Sequence, residues 1–521
     1  MIESRWPSQQ CKAGSACGKK LSFLRFGSRA TSGELPLQLF PPAFRIFTSY
    51  YAPRTLRSTM TFHRISRLNL TLKLHSEDKT IMRKFFIFLL LASQWIAAQT
   101  ASPSMTGRWI GKSEFYGSPI YSTIHLTQQG DKLTGDFDGD KLEGTVSGNH
   151  VHFLAKDTQG GSEEGTATLQ STSAQDVSFT GEVIWIDGSN PTHPQTHAIV
   201  ATLAVAPQHG TPQRREFTPT VFYRQFSAFT PPVMTVEPGE TIHSTTVDAG
   251  GVDEKGQERV LGGNPQTGPF YVQGAMPGDT LVVHLTHLRL NRDWADSDDF
   301  LVGRALSPDW AAKLKDAGKQ IRWHLDLAKG VAYPEKAAEH LTNYTIPLHP
   351  MLGCVATAAR AANAAPGTGD SGGYGGNMDF NEVVEGNTLY LPVNVPGALL
   401  YFGDGHAAQG DGELNGNALE TSMDVELTVD VISNQSVPDP RVESSTHIMA
   451  MGLGGSIEDA LRDATANMAQ WLTDDYKLTP SEVAQVLGSS AEYRVSELAD
   501  RNAGIVLKIN KERLKGLVAG K

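Results

Sequence analysis

Residues 389–417 read LYLPVNVPGALLYFGDGHAAQGDGELNGN. Leu389, Tyr390, Leu391, Val393 and Val395 make an apolar strand, Pro396-Gly397 turns the chain, and Leu399-Leu400-Tyr401-Phe402 resumes it. Directly after that run come Asp404, His406, Asp411 and Glu413, spaced by glycines. A solvated turn has no use for a histidine and three acids at this density, whereas a cation held by oxygen and imidazole does. The stretch therefore predicts a β-rich core whose strand ends carry a site.

A chain of 521 residues should hold two or three domains at roughly 100–200 residues each. Its formal charge of −11 is unevenly spread: residues 1–81 carry 13 Lys and Arg against 4 Asp and Glu, so residues 82–521 carry −20. That acidic remainder argues against nucleic acid and anionic membrane as partners. Met82-Arg83-Lys84, the apolar run Phe85 to Ala92 and the small-residue exit Ile96-Ala97-Ala98 read as a secretory signal peptide over 82–98, too short to span a bilayer. Met82 is then the expected start, residues 1–81 a disordered upstream extension, and the mature chain periplasmic or secreted without a stable membrane span. Cys354 is the one cysteine beyond that segment, so no internal disulfide is expected.

From residue 105 to 205, short alternating segments separated by Gly130-Asp131, Asp138-Gly139-Asp140 and Ser147-Gly148-Asn149 predict a small antiparallel β-barrel or sandwich with an accessory role. Asp136, Asp138 and Asp140 lack the twelve-residue calcium loop and its terminal Glu, and read as a hairpin tip. Residues 206–219 read as a linker. The phrases EPGET (237–241) and MPGDT (276–280) are near copies, each a Pro-Gly turn feeding a strand, and suggest a weak repeat in a β-sandwich over 220–515. A Gly-rich loop closing in Gly375-Gly376-Asn377-Met378-Asp379 would let backbone approach a ligand closely. Toward the C-terminus, Ser456 with Asp459 caps a helix whose stripe Leu461, Ala464, Met468, Trp471 and Leu472 belongs to a core or subunit interface.

The strings HPMLGCVATAA, GGNMD, TLYLPVNVPGALLYFGDGHAAQGDGE and GNPQTGPFYVQGAMPGDTL resemble the acetamidase/formamidase family over about residues 215–515. The resemblance implies a β-sandwich with added helices, homo-oligomeric assembly, and metal-dependent hydrolysis of a short aliphatic amide to carboxylate and ammonia. The fold expected is thus mainly β: a β-sandwich amidase domain with inserted and C-terminal helices, preceded by the small barrel or sandwich. Neither the signal segment nor the 105–205 domain belongs to the family core.

The residues support the chemistry independently. An amide is a poor electrophile with a poor leaving group, so a site must polarise its carbonyl, supply a nucleophile and protonate its nitrogen; a bound cation can do the first two. Asp404 and His406, at i and i+2 of an extended segment, share a face and read as metal ligands, with Asp379 third and Asp248 fourth; Asp248 is equally a turn residue. Glu413, or Asp411, would serve as general base and then acid. His349, Gly376 and Asn377 are the expected substrate contacts. Mixed Asp/His ligation suits zinc first and calcium or manganese as alternatives. Cys354 lies in a buried-strand pattern that disfavours a nucleophile, and His447 precedes the first C-terminal helix without a defined role. The competing reading is a non-catalytic, metal-containing β-sandwich binding module.

Overall fold

The computed structural model describes residues 103–173, 176–314 and 318–517. The expected signal segment and the upstream extension lie outside the described residues. No helix among the described residues is long and apolar enough to cross a membrane.

Eight strands, from Gly107–Phe115 to Gln195–Leu203, pair antiparallel in sequence order, and the last returns to the first through Trp109↔Leu203, closing a barrel. Alternation along each strand drives this closure, because every second residue points inward and must be apolar. Trp109, Ile124, Leu133, Leu142, Phe153 and Phe179 fill the interior. Burying a side chain such as Phe153 contributes about 1.5–3 kcal/mol. A Cβ on Gly165 would sit 2.1 Å from the Phe153 ring, so the glycine is the space that ring occupies. The hairpin acids serve the hairpin: Asp138 Oδ1 accepts from Thr123 N at 2.7 Å and Asp136 Oδ1 from Gly139 N at 3.2 Å.

Beyond the barrel, an 11-stranded and a nine-stranded sheet stack face to face. Their shared core joins Phe270, Leu352, Val355, Leu400 and Phe402 of the first to Leu281, Val283, Leu391, Val425 and Leu427 of the second. The family-like region is therefore a β-sandwich, as the sequence predicts. The two near-copy phrases fold alike. Gly239 and Gly278 take φ of 89° and 88°, and Glu240 and Asp279 each accept from the amide three residues earlier at 2.9 Å. Helices Ile457–Tyr476 and Pro480–Ser490 cover the outer face of the nine-stranded sheet, with Ala464, Met468, Trp471 and Leu472 against Ile448, Ala450, Ile505 and Leu507. Leu461, placed in that stripe by sequence, is 42% exposed, because it lies about 100° around the helix from the buried Ala460.

The barrel is attached by polar contacts. Arg108 pairs with the fully buried Asp279 at 2.5 Å, Asp279 Oδ1 also accepts from Asn434 N at 2.8 Å, and His125 Nε2 meets Asn434 Oδ1 at 2.8 Å. The segment between barrel and sandwich is only partly a tether. Arg214–Glu216 forms a strand running parallel to Thr241–Thr245 at the edge of the nine-stranded sheet.

Candidate active site

Strand Leu400–His406 is buried along its whole length inside the 11-stranded sheet, paired with Met351–Ala356 on one side and Glu420–Thr421 on the other. It sets Asp404 and His406 together, with Asp404 Oδ1 3.4 Å from His406 Nε2. Asp404 does so at φ 60°, a left-handed conformation unfavourable for a residue with a Cβ. Asp379, at the end of the glycine loop, brings Oδ1 to 3.9 Å from the same nitrogen at φ 41°. Glu413, at φ 46°, and Asn264, at φ 57°, complete a set of four non-glycine left-handed residues around one point. Backbone held this way costs of order 1–3 kcal/mol per residue and persists where surrounding structure over-determines it.

Glu420, which no sequence pattern marks, is the direct cross-strand partner of His406, and its Oε1 lies 3.1 Å from Nε2 without hydrogen-bonding geometry. Ligand atoms of Asp379, His406 and Glu413 lie within 4.8 Å of one another, and so do those of Asp404, His406 and Glu420. Gly353 allows this convergence: a Cβ there would sit 2.5 Å from both Asp379 Oδ1 and Asp404 Oδ2. Asn264 and Asn377 brace the acids. Asn264 Nδ2 donates to Asp404 Oδ2 at 2.9 Å and to Asn377 Oδ1 at 2.5 Å, while Asn377 Nδ2 donates to Asp379 Oδ2 at 2.7 Å and Asp500 Oδ2 at 2.6 Å.

Electrostatically the cluster is overloaded. Burial, then the charges of Glu413 and Asp404, pushes Asp379 well above the usual carboxylate range. Burial raises Glu413 likewise, with Glu420 adding to it against the opposing His406. Burial lifts Glu420 to about 7 despite the neighbouring imidazole. Burial disfavours charging His406, yet Glu420 and Asp404 outweigh it and hold the imidazole well above its ordinary value. Asp379 Oδ1, His406 Nε2 and Glu420 Oε2 are buried without a hydrogen-bond partner. An imidazole nitrogen among carboxylates, orphaned and out of water, is a donor set that fits a divalent cation; Asp379, Asp404, His406, Glu413 and Glu420 could hold it.

The other sequence candidates are placed differently. Asp248 lines the cavity above the cluster but stands outside the cation-fitting set: its Oδ2 accepts from Arg292 at 2.7 Å and its Oδ1 from Val252 N at 2.9 Å. Asp411 points away, gripped by both arms of Arg494 and by Asn381 at 2.9 Å. His349 is exposed beside a separate cavity of about 790 Å³ that Trp323, Tyr344 and Asn381 also line. Gly376 is buried, and Asn377 spends its amide on the acids just described. Cys354 is fully buried, and burial followed by the charges of Asp404 and Asp379 drives its thiol far above the reactive range.

Above the acids opens a cavity of about 950 Å³, lined by Asp404, Glu413, Glu420, Asn264, Asn377 and Asp500 among others. Glu413 reaches it with Oε1 held by Ala418 N at 2.9 Å. The site thus combines a cation-fitting floor, a proton-holding acid and room for a ligand.

Residues 301–450, which contain Asp379, Asp404, His406, Glu413 and Glu420, match the model of the Acetamidase/Formamidase family. A Schizosaccharomyces pombe protein named as a formamidase is 36% identical over 78 residues, covering 15% of this chain and 18% of that one. An acetamidase from Mycolicibacterium smegmatis is 42% identical over 59 residues, covering 11% and 14%. The matched segments thus span less than a fifth of either relative. Among solved structures, an acetamidase from Yersinia enterocolitica superposes with a TM-score of 0.51 at 26% identity, over 58% of this chain and 94% of that chain. A protein predicted to be an acetamidase/formamidase from Thermoanaerobacter tengcongensis shares the fold, with a TM-score of 0.51 at 24% identity over 59% and 99%. The resemblance carried by the sequence motifs is therefore matched in both sequence and fold.

Proposed function

We propose that the chain is an amidohydrolase cleaving the C–N bond of a linear, short aliphatic amide, in a reaction that depends on a divalent cation, zinc first. The observation that carries this reading is the orphaned His406 Nε2, faced by Asp404, Glu420 and Asp379 at 3.4, 3.1 and 3.9 Å beneath an open cavity. Both relatives and the Yersinia structure bear names of that activity. When bound, the cation would polarise the amide carbonyl and lower the pKa of a water toward 7.

The chain's own groups do the rest. Asp379, Asp404, His406 and Glu420 hold the charge, and Asn264 and Asn377 keep two of those carboxylates aimed. Glu413, buried at the cavity wall, in its ionised form accepts the proton of the attacking water and returns it to the amide nitrogen as the C–N bond breaks. The products are ammonia and a carboxylic acid, which loses its remaining proton to ammonia or solvent. Expulsion of bulk water from this buried floor strengthens each of these interactions. Export rests on the 82–98 segment alone, and homo-oligomeric assembly on the family resemblance.

Ammonia release from a panel running from formamide to larger amides, assayed on chelated and metal-restored protein, tests the reading. Activity that tracks added metal and disappears in Asp404→Ala supports it. Metal-loaded, folded protein that turns over no amide leaves the binding-module reading instead.

A further inference from the structure

Resting on that reading of the site, we propose that Gln409 is the positioning residue that commits His406 Nε2 to the cation. Gln409 Oε1 lies 2.8 Å from His406 Nδ1. Its Nε2 donates to the carbonyl oxygens of Asp379 and, at 3.3 Å, of Ser496. Two carbonyls can only accept, so the nitrogen end of the amide must face them and the oxygen end must face the imidazole. An amide oxygen can only accept in turn, so Nδ1 carries the hydrogen. The neutral ring then presents a bare lone pair at Nε2, and that lone pair looks at three carboxylates.

The same side chain acts on a second member of the cluster. By bonding the main-chain carbonyl of Asp379, Gln409 supports a residue held at φ 41°, and through Ser496 it ties this corner to strand Glu492–Glu497. One amide thus fixes the ring of His406 and the backbone of Asp379, which lie on separate segments of the chain and converge on the same point. Partners of this kind, bonded to the far nitrogen of a ligating histidine, are worth about 10–100-fold in metal affinity. Gln409 bonds the floor from behind, without lining the cavity or touching a reacting atom, so its effect is carried by orientation.

The test uses the full mature chain and cobalt(II), whose retention is measured by competition with a chelator and whose ligand field is read from its visible spectrum. Gln409→Leu removes the acceptor, while Gln409→Glu keeps an oxygen on Nδ1–H. Cobalt affinity should fall about 10-fold or more in Gln409→Leu, with the visible spectrum altered, and fall less in Gln409→Glu, which keeps an acceptor on Nδ1–H but loses the donor to the Asp379 and Ser496 carbonyls. Equal affinity in Gln409→Leu and parent overturns the proposal. A crystal structure of the cobalt-loaded parent needs no variant: Nε2 toward the metal supports the assignment, and Nδ1 toward it refutes it. Parent protein that retains no cobalt at all fails at the earlier step, the metal reading itself.

Discussion

The barrel and the floor of the sandwich obey different local rules. In the barrel, alternation, an apolar interior and two-residue turns at four of the seven connections specify the same structure, and left-handed residues such as Tyr116, Asp138 and Gly148 sit at exposed hairpin tips. At the sandwich floor, Asp379, Asp404, Glu413 and Asn264 are left-handed and buried, three of them carboxylates crowded together, with Asp379 Oδ1 lacking a hydrogen-bond partner. Local consistency marks a region that needs only to fold. The cluster of violations coincides with the candidate site, where the proposed function expects local consistency to be given up.

The contrast can be attacked in order of expected effect. Glu413→Gln should lower kcat by about 10²–10⁴-fold, the range of a lost acid-base group, while cobalt retention falls far less; steady-state ammonia kinetics with metal analysis decide it, and unchanged kcat would remove Glu413 from the chemistry. Next comes a matched pair of glycine substitutions. Gly353→Ala drives a Cβ to 2.5 Å from two carboxylate oxygens and should cost about 10²-fold in kcat/KM through displacement of the floor. Gly111→Ala in the barrel meets Ile199 at 3.2 Å and should leave turnover unchanged. If both behave alike, the distinction between the regions collapses.

The joint between them gives a stability effect. Arg108→Ala leaves Asp279 buried and short of its cation, a loss of about 3–5 kcal/mol by the rule for broken buried pairs, partly offset by the Asn434 and Met276 amides. Calorimetry should show the melting transition lowered, with kcat of the folded fraction retained. The smallest effect is the pH dependence of the metal-free protein. Glu420 and Glu497 are both raised by burial from 4.5 to about 7. Each binds its proton more tightly folded than unfolded, so its contribution to stability is full below about 4.5 and is lost as pH climbs through about 7. Chelated protein should therefore melt higher at pH 5 than at pH 8, and saturating metal should flatten that slope; a chelated protein that gains stability toward pH 8 contradicts the assignment.

Much of the fold was legible because it rests on period and punctuation. The barrel strands alternate, and the sandwich strands announce themselves through Pro-Gly turns and apolar runs. Asp404, His406, Asp379 and Glu413 stood out because ionisable residues among glycines are conspicuous along the chain. What stayed hidden arrives through long-range pairing. Glu420 meets His406 by sheet register, and Gly353 matters for a Cβ it does not have. Gln409 matters through which end of its amide faces inward. The same limit hid the partners of two acids: Asp411 pairs with Arg494, 83 positions on, and Asp248, at the cavity wall, pairs with Arg292.

The short strand Arg214–Glu216 has a consequence for how the molecule behaves among its copies. It is the terminal strand of the nine-stranded sheet, and it closes that flank with three successive charged side chains. A flank finished in this way resists templated addition of a neighbour's backbone. Protease cutting between residues 206 and 213 would leave the guard in place, whereas trimming past Glu216 would uncover Thr241–Thr245 as an edge open to a neighbour's backbone.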